Sequence, residues 1–303
     1  DCVTCLNDIT SVSPAISLTS LTIGDNVAYI GNNFFKNCYS LTSLSLPTKL
    51  LIIGKNAFQG CSGITSVTIP DSVITVGQSA FKDCISLSSI TIGSGVTSIG
   101  SSAFTNSYIP SSNFINNSSL DAEANNYWGC VIIDYNINGL CIKDNRVIKY
   151  IGNDTNVVIP NSVTSIGDKA FYECTSLTSV TIPNSVTKIG TTAFAYCDGL
   201  TSVTIPDSVT SIGGYAFHSC DNLQEFKGAL ASEDGKYIII DGKLCAFAGA
   251  GVTEYIIPDG VTSIGSYAFY GCNSLASVTI PNSVTSIGRC ALYCSNLKSV
   301  YIT

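Results

Sequence analysis

The side chains able to carry acid–base or nucleophilic chemistry are few in this sequence, and their spacing forms none of the usual catalytic groups. The one histidine, His218, stands two positions before Cys220. A Cys–His or Ser–His pair needs the base within hydrogen-bond reach of the nucleophile and a third group that orients the base. Cys220 occupies a position that recurs along the chain and is expected to face a core. We therefore interpret His218 as a solvated loop residue.

Carboxylate, metal and phosphate motifs are incomplete in the same way. Acidic residues stand singly or in isolated pairs such as 233–234, at no spacing typical of hydrolytic carboxylates or of a calcium loop. The segment Cys2-x-x-Cys5 could begin a zinc or redox motif, but no second cysteine pair or histidine follows at ligand spacing. The glycine-rich segment 249–251 lacks the lysine and the helix of a phosphate-binding loop. These patterns predict a chain that is not an enzyme and uses no cofactor or metal.

One short phrase recurs and sets the organisation of the chain. SVTIPNSVTKIG (179–190) returns with few changes from Ser202 and from Ser277. The Ile-Gly or Val-Gly that closes each copy recurs with successive gaps of 23, 23, 23, 67, 23, 23, 52 and 23 residues. A fixed period in the twenties is typical of a solenoid, in which each coil buries its apolar face against its neighbours. The two long gaps are close to three and two periods and predict degenerate coils or inserted hairpins.

A single coil can be interpreted from LTSVTIPNSVTKIGTTAFAYC (177–197). Val180 and Ile182 lie on the same side of a short strand, because side chains alternate along a strand. Pro183 ends that strand, since it has no N–H to donate to a ladder. A second extended segment ends at Gly190, which can adopt the positive φ of a turn. The Ala-Phe pair and the cysteine that follow are expected to enter the core.

The consensus L-x-x-[LV]-x-I-P-x-S-V-x-x-I-G-x-x-A-F-x-x-C resembles the BspA-like leucine-rich repeats, a family of secreted and surface proteins of oral and gut bacteria and of some parasitic protists. The match covers about 18–107, 155–226 and 253–302. The resemblance implies a mainly-β, right-handed leucine-rich-repeat solenoid of about a dozen coils, with a parallel sheet on one face. It also implies adhesion or protein recognition, usually without catalysis. Since a fold does not decide a function, this role is an expectation by analogy.

We expect one continuous solenoid domain built from a cap, three repeat arrays and two inserts. Segments 131–156 and 228–252 share a Gly, Leu-Cys and apolar-strand pattern that resembles the hairpin inserts of such arrays. The predicted boundaries are 1–17 for the N-terminal cap, 18–107, 157–226 and 253–303 for the arrays, and 108–156 and 227–252 for the inserts. The last array ends in an incomplete coil.

Composition excludes some partners. Only 12% of the residues are charged, and the net charge of −7 provides no basic stripe for nucleic acid. The longest apolar runs fall short of the 18 or so residues that a transmembrane helix needs. The chain starts at Asp1 with no signal peptide, which fits a processed or trimmed form. We expect an extracellular or cell-surface protein whose partner is an extracellular protein, a glycan or a copy of itself.

The fourteen cysteines fall into two groups. Eight share one repeat position and are expected to form a buried ladder of small apolar side chains, because regular stacking rarely offers disulfide geometry: Cys38, Cys61, Cys84, Cys174, Cys197, Cys220, Cys272 and Cys294. The other six lie at the start, in the inserts and in the last coil, where a coil lacks a neighbour on one side. They are candidates for disulfides, with the pairing open: Cys2, Cys5, Cys130, Cys141, Cys245 and Cys290.

The outward side chains of the repeat strands form two files of hydroxyls and are the candidate binding surface: Ser66, Thr68, Ser89, Thr91, Ser179, Thr181, Ser202, Thr204, Ser277 and Thr279. They could simply keep a β surface soluble, or form a flat polar face that recognises a protein or glycan. Ice-binding solenoids pair their threonines more strictly, which disfavours that function. The files break at Glu225 and Lys227, and charged residues of this kind give a surface specificity. These two residues are the preferred specific contact.

Two further features concern the surface and the ends. Three glycosylation sequons, at Asn116, Asn117 and Asn153, fall in the first insert and are either acceptors or chance matches. Near the C-terminus, Leu297, Val300 and Ile302 restart a repeat strand whose coil is not completed. Either a longer protein continues there, or another molecule covers this apolar edge. A second copy in that place would build a filament, since non-closing head-to-tail contacts polymerise.

Overall fold

The structure, a computed structural model, describes residues 17–303 and the backbone of 5–6. The chain packs as two compact units, 1–136 and 137–303. The described residues form a mainly-β solenoid fold with coils of about 23 residues, about twelve in all. They contain no α-helix, and their helical turns are the 3-10 segments Ser111–Asn113 and Asn126–Gly129. The predicted fold class is therefore confirmed.

In the first unit each coil contributes one strand to each of two rows. The repeat phrase forms β2 (Ser20–Thr22), β4 (Ser43–Ser45), β6 (Ser66–Ile69), β8 (Ser89–Ile92) and β11 (Phe114–Asn116). The second row is β1 (Cys5–Leu6), β3 (Tyr29–Ile30), β5 (Ile52–Ile53), β7 (Thr75–Val76) and β9 (Ser98–Ile99). A separate parallel pair follows, β10 (Tyr108–Pro110) with β12 (Val131–Ile133), and β13 (Tyr135–Ile137) lies at the boundary.

The second unit has the same two rows. Its repeat strands are β16 (Asn156–Val158), β18 (Ser179–Thr181), β20 (Ser202–Thr204), β22 (Glu225–Lys227), β25 (Glu254–Ile256), β27 (Ser277–Ile280) and β29 (Ser299–Ile302). Its second row includes β17 (Ser165–Ile166), β19 (Lys188–Ile189), β21 (Ser211–Ile212), β26 (Ser263–Ile264) and β28 (Ser286–Ile287). Two hairpins complete it: β14 (Leu140–Lys143) with β15 (Arg146–Tyr150), and β23 (Tyr237–Ile240) with β24 (Lys243–Phe247).

These hairpins are built into the solenoid of the second unit. Strand β15 pairs in parallel with β17, and β24 pairs in parallel with β26, so each hairpin continues the second row of strands. Each also supplies one ring to the aromatic core. The ring centroid of Tyr150 lies 5.3 Å from that of Phe171, and the centroid of Phe247 lies 4.5 Å from that of Phe269. The inserts are therefore altered coils rather than appendages.

A column of stacked phenylalanines forms the centre of each core. In the first unit Phe58 and Phe81 lie 5.1 Å apart, and in the second Phe171 and Phe194 lie 4.9 Å apart. These four side chains are fully buried. The ladder cysteines pack beside this column, and five of their thiols donate to the phenylalanine carbonyl of the preceding coil, as Cys197 does to Phe171 at 3.0 Å. At these five places cysteine fills a small apolar position without leaving its S–H unpaired.

The turn that carries the Ala-Phe pair has two residues with positive φ in each regular coil. One precedes the alanine and the other precedes the ladder cysteine, as Asn56 (φ 54°) and Gly60 (φ 75°) do in one coil. Asparagine, aspartate, serine and glycine hold these positions in the first unit, for example Ser79 and Asp83. Small polar residues and glycine tolerate this conformation best. The turn therefore favours small residues at two positions of each regular coil in the first unit.

The predicted disulfides are wrong for the four described candidates, Cys130, Cys141, Cys245 and Cys290, which are thiols. Burial raises the pKa of the Cys130 and Cys141 thiols to about 12, which disfavours the thiolate needed for exchange. Cys245 and Cys290 lie on coils separated by one further coil, since the strand order is β24, β26, β28. Two strand spacings, about 10 Å, exceed the span of a disulfide. Cys2 and the side chain of Cys5 lie outside the described residues, as does nearly all of the predicted cap.

Candidate binding surfaces

The outward positions of the repeat strands, here called the strand face, carry the predicted hydroxyl files. In the first unit Ser66 pairs with Ser89 and Thr68 with Thr91, while Val67 between them is buried. In the second unit Ser179 and Thr181 lie beside Ser202 and Thr204, since β18 and β20 are neighbours. Ser277 and Thr279 pair with the next strand, β29. The ten hydroxyl residues are exposed or half-buried, as a strand that alternates between core and solvent requires.

Glu225 and Lys227 end the files in the second unit. They are cross-strand partners of Ser202 and Thr204, so they stand on the same face. The Lys227 ammonium lies 2.9 Å from the Glu225 carboxylate, and both side chains are about half-exposed. The structure therefore brings the two candidate residues together and pairs them with each other. Exposed pairs of this kind contribute little to stability, roughly 0–1 kcal/mol.

Exposed apolar residues also stand in these files, and the sequence analysis missed two of them. Val158, 68% exposed, is the strand partner of Thr181, and Ile256, 71% exposed, is the partner of Thr279. Tyr301 is exposed on the other side of Thr279. The signal was a valine or isoleucine where neighbouring copies of the phrase have threonine. The hydroxyl files are thus bordered by apolar and charged side chains.

The remaining surface candidates are placed as follows. Asn117 and Asn153 are exposed, whereas Asn116 is half-buried and donates its amide nitrogen to the Leu120 carbonyl at 2.8 Å. That bond makes Asn116 the least accessible of the three acceptor nitrogens.

At the C-terminal strand β29, Val300 and Ile302 are exposed and Leu297 is half-buried. Strand β29 pairs with β27 on one side.

A second surface, which the sequence analysis missed, lies at the turns of the second unit. It is a tyrosine cluster formed by Tyr196, Tyr215, His218, Tyr267 and Tyr270. The imidazole of His218 packs edge-on against three phenol rings, with centroid distances of 4.9 Å to Tyr196, 5.6 Å to Tyr215 and 4.6 Å to Tyr270. Its Nε2 atom lies 3.2 Å from the Tyr196 hydroxyl.

The interpretation of His218 as a solvated loop residue is therefore wrong. Packing within the tyrosine cluster removes water from the imidazole, and this desolvation lowers the pKa of His218 below its ordinary value. Its Nδ1 atom lies 3.1 Å from the Ser219 hydroxyl, so both ring nitrogens have neighbours. The sequence signal was a Tyr-Ala-Phe-His segment (215–218) matched by Tyr-Ala-Phe-Tyr (267–270), two large rings around the buried pair.

A short coil explains why these rings meet. Leu244 is the strand partner of Ile264, and Ile256 is the partner of Thr279. The distance in sequence is 12 residues from Leu244 to Ile256 and 15 residues from Ile264 to Thr279, so the coil 244–256 is three residues shorter than its neighbour. The turn of this coil therefore projects less far from the solenoid than the turns of the neighbouring coils. The Tyr215 and Tyr267 rings close over it and stack with centroids 3.6 Å apart.

The tyrosines of the cluster occupy unusual backbone positions. Tyr196, Tyr215 and Tyr267 have φ values of 60°, 59° and 64°, at the two turn positions that Asn, Asp, Ser or Gly fill in the first unit. A bulky residue in this region costs roughly 1–2 kcal/mol. Outside the cluster Lys169, Glu173 and Thr192 hold the same two positions with φ values of 57°, 61° and 53°, so this conformation belongs to the turn itself.

A cleft of about 190 Å³ opens beside the tyrosine cluster, over the short coil. Phe217 and Phe247 form part of its wall, and Gly249 and Ala250 stand where a regular coil has its closing turn. Ala250 is fixed there because its N–H donates to the Leu223 carbonyl at 3.1 Å. The polar lining consists of Ser219, Asp221, Asn273 and Ser274, with Tyr270 and Gly271 between. The cleft thus combines an aromatic wall with a polar rim.

The cleft contains two ladder cysteines with weakly nucleophilic thiols. Cys220 and Cys272 are buried, and desolvation raises the pKa of the Cys220 thiol to about 12. A thiol held neutral in this way is a poor nucleophile. Among residues 17–303, His, Cys, Asp and Glu side chains form no group of three or more suited to a metal ion.

Comparison with known proteins identifies the family. The sequence matches the BspA type leucine rich repeat region in six copies, over residues 13–131, 144–232 and 243–303. The chain belongs to this leucine-rich-repeat family. No curated protein matches the chain in sequence. In the described part of the chain, no helix has the length and apolar character needed to cross a membrane.

Several solved structures are similar to this BspA type chain. A leucine rich cell surface protein from Faecalibacterium prausnitzii is 27% identical, over 99% of this chain and 83% of that one, with a TM-score of 0.41. A leucine-rich repeat protein from Bacteroides ovatus is 25% identical, over 98% and 86% of the two chains, with a TM-score of 0.32. The pneumococcal vaccine antigen PcpA is 20% identical, over 94% and 68%, with a TM-score of 0.40.

Proposed function

We propose that this BspA type repeat protein is a non-catalytic recognition or adhesion protein, at the cell surface or outside the cell, that binds a partner protein through its strand face. One observation carries the proposal. Parallel strands in register place short hydroxyl side chains in continuous files, and Thr68 beside Thr91 is one example. In the second unit the files end at Val158 on one side and at the Glu225–Lys227 pair on the other. A partner would meet a flat polar centre with apolar and charged groups at its border.

Such a face suits recognition for physical reasons. Serine and threonine side chains have few rotamers, so a partner that orders them loses little conformational entropy. The exposed Val158 and Ile256 side chains offer apolar area that a partner can bury, at roughly 25 cal/mol per Å². The Glu225–Lys227 pair offers one donor group and one acceptor group in a fixed order. Charge order of this kind selects partners more than it adds affinity.

The experiment compares two matched double variants in binding of the fluorescently labelled chain to cultured epithelial cells by flow cytometry. Thr181→Gln with Thr204→Gln lengthens two outward side chains of the strand face without adding charge. Thr187→Gln with Thr210→Gln makes the same change on the same two coils outside the repeat strands, at exposed positions. The first variant is expected to lose binding and the second to retain it. Equal binding by both would remove the strand face as the contact.

The charged pair permits a sharper test of specificity. In Glu225→Lys with Lys227→Glu the ion pair is kept and its order on the strand is reversed. Folding is therefore expected to be unchanged, while binding to the same cells is expected to fall. Unchanged cell binding by this double variant would show that the pair is not part of the contact.

A further inference from the structure

We propose that the cleft over the short coil 244–256 is a second binding site, separate from the strand face, and that it takes one neutral sugar residue of a glycan. The inference is independent of the proposed function, because the cleft is lined by turn residues and by none of the outward residues of the repeat strands. It rests on the shape, the polar groups and the packed aromatic rings of this one place.

The size of the cleft fits a small ring rather than a large ligand. Pockets for drug-sized ligands occupy about 300–1,000 Å³, whereas this cleft encloses about 190 Å³. Its depth comes from the short coil, where Gly249 and Ala250 leave the place of a regular turn unfilled. Position 249 also favours glycine, because a Cβ atom there would lie 2.7 Å from the Cys272 sulfur. The floor is thus built from the smallest side chains available.

The aromatic side of the cleft suits the apolar face of a pyranose. Tyr270 lines it and is held by His218, whose ring centroid lies 4.6 Å away, and by Tyr293, which stacks at 4.8 Å. Aromatic rings attract the C–H groups that one side of a sugar presents, and the rings of Phe217 and Phe247 also belong to this wall. Because the Tyr270 ring is already fixed by its neighbours, a ligand would not have to order it.

The polar rim suits hydroxyl groups in particular. Sugar hydroxyls both donate and accept, so they need partners of both kinds. Asp221 supplies acceptors, Asn273 supplies an amide donor while its Oδ1 accepts from the Ser295 hydroxyl at 2.8 Å, and Ser219 and Ser274 supply groups that can do either. The residues that line the cleft include an aspartate and no lysine or arginine, so an acidic sugar, a sulfate or a phosphate would meet like charge. The neutral class is therefore favoured.

The packing of the rings supports a preformed site. The stacked rings of Tyr215 and Tyr267 roof the short coil, and Gly271 lets the second coil approach His218, since a Cβ there would lie 2.8 Å from Nδ1. These contacts hold the rings in place before a ligand arrives.

The test applies the full chain to a glycan array and then titrates the preferred sugar by NMR. The structure leads us to expect binding to glycans with exposed neutral hexoses and none to sulfated or sialylated ones. Tyr270→Leu is expected to weaken binding at least tenfold. Tyr172→Leu, at the same repeat position of another coil, serves as the matched control and should bind as the parent chain does.

A second variant keeps the test decisive if Tyr270→Leu fails to fold. Asp221 is exposed, so Asp221→Ala should leave the melting temperature unchanged and still weaken sugar binding at least fivefold. Retained sugar binding in both variants would overturn the proposal. So would a preference for choline, a quaternary ammonium probe that aromatic rings can also bind, or the absence of any neutral glycan that binds. The Thr181→Gln, Thr204→Gln variant should keep sugar binding, which separates failure here from failure of the strand-face proposal.

Discussion

The rings of Tyr215 and Tyr267 stack with centroids 3.6 Å apart, although 52 positions and one complete coil separate them in sequence. The backbones of coils on either side of a third lie about 10 Å apart, so both side chains must lean over the coil between. They can do so because that coil is three residues short and carries Cys245, Ala246 and Ala248 near its turn. Neighbouring rings desolvate the Tyr215 hydroxyl and raise its pKa to about 12.

Gly271 is expected to control the position of His218. In Gly271→Ala the new methyl group would come within 2.8 Å of Nδ1, at a residue whose φ is 79°. Gly251→Ala provides the control, because Gly251 has a φ of 70° and nothing within 4 Å of its Cβ position. Both variants should lose the roughly 1 kcal/mol or more that a left-handed alanine costs. Only Gly271→Ala should also shift the imidazole resonances of His218, measured by NMR, and equal spectra would contradict the contact.

His218 should make stability depend on pH in a defined window. Its pKa is lowered in the folded state by desolvation, against smaller opposing contributions from the Tyr270 backbone and Asp221. The unfolded chain then binds the proton more readily, so the free energy of unfolding is largest above the unfolded pKa of about 6.5. It falls as the pH drops from there through the folded pKa.

The measurement is urea unfolding of the parent chain and of His218→Gln between pH 7.5 and 5. The groups that face the imidazole are the phenols of Tyr196, Tyr215 and Tyr270 and the carboxylate of Asp221, and both chains keep all four. The parent chain should therefore lose stability relative to His218→Gln as the pH falls. Parallel curves for the two chains would show that His218 does not titrate in this way.

The repeat itself could be predicted from sequence because its coils obey one rule. Each strand residue such as Val180 packs against the equivalent residue of the next coil. Residues that are one repeat apart in the sequence are therefore neighbours in the structure. The tyrosine cluster could not be predicted because it depends on an exception to that rule. Tyr215 meets Tyr267 only if the coil between them is short, and the length of that coil becomes clear only when Leu244 is known to pair with Ile264.

The phenylalanine column should make the second unit sensitive to a single truncation. Phe194 is fully buried and stacks between Phe171 at 4.9 Å and Phe217 at 5.3 Å. Phe194→Ala should lower the free energy of unfolding by roughly 3–5 kcal/mol, because it removes buried area and leaves a cavity. Since each coil is stabilised mainly by its neighbours, the rate of backbone amide hydrogen exchange should rise most in the coils on either side of Phe194. Uniform exchange along the chain would contradict this coupling.

Cysteine reactivity should separate the ladder from the exposed turn position. Burial raises the pKa of Cys61 and of Cys220 to about 12, whereas Cys290 is exposed. Iodoacetamide reacts with thiolates, so at pH 8 Cys290 should be alkylated in the native chain and the two ladder cysteines only after denaturation. Peptide mapping by mass spectrometry measures this residue by residue. Comparable native labelling of Cys220 and Cys290 would show that the ladder opens readily.

The length of the short coil should decide whether the tyrosine roof forms. A regular coil has five residues from its second-row isoleucine to its phenylalanine, as from Ile264 to Phe269, whereas the short coil has three from Leu244 to Phe247. Inserting Gly-Ser directly after Leu244 restores the regular count and gives the turn room to project. The projecting turn should then separate the rings of Tyr215 and Tyr267, which would be measured as loss of the nuclear Overhauser contacts between them.

The first hairpin provides a matched control for this insertion. It also has three residues from its second-row residue to its ring, from Val147 to Tyr150, since Val147 pairs with Ile166. Gly-Ser inserted after Val147 should perturb its own coil to a similar degree and leave the Tyr215–Tyr267 contacts intact. If the rings remained stacked in the Leu244 insertion, the short coil would not be the cause of their approach, and the cleft beside them would need another origin.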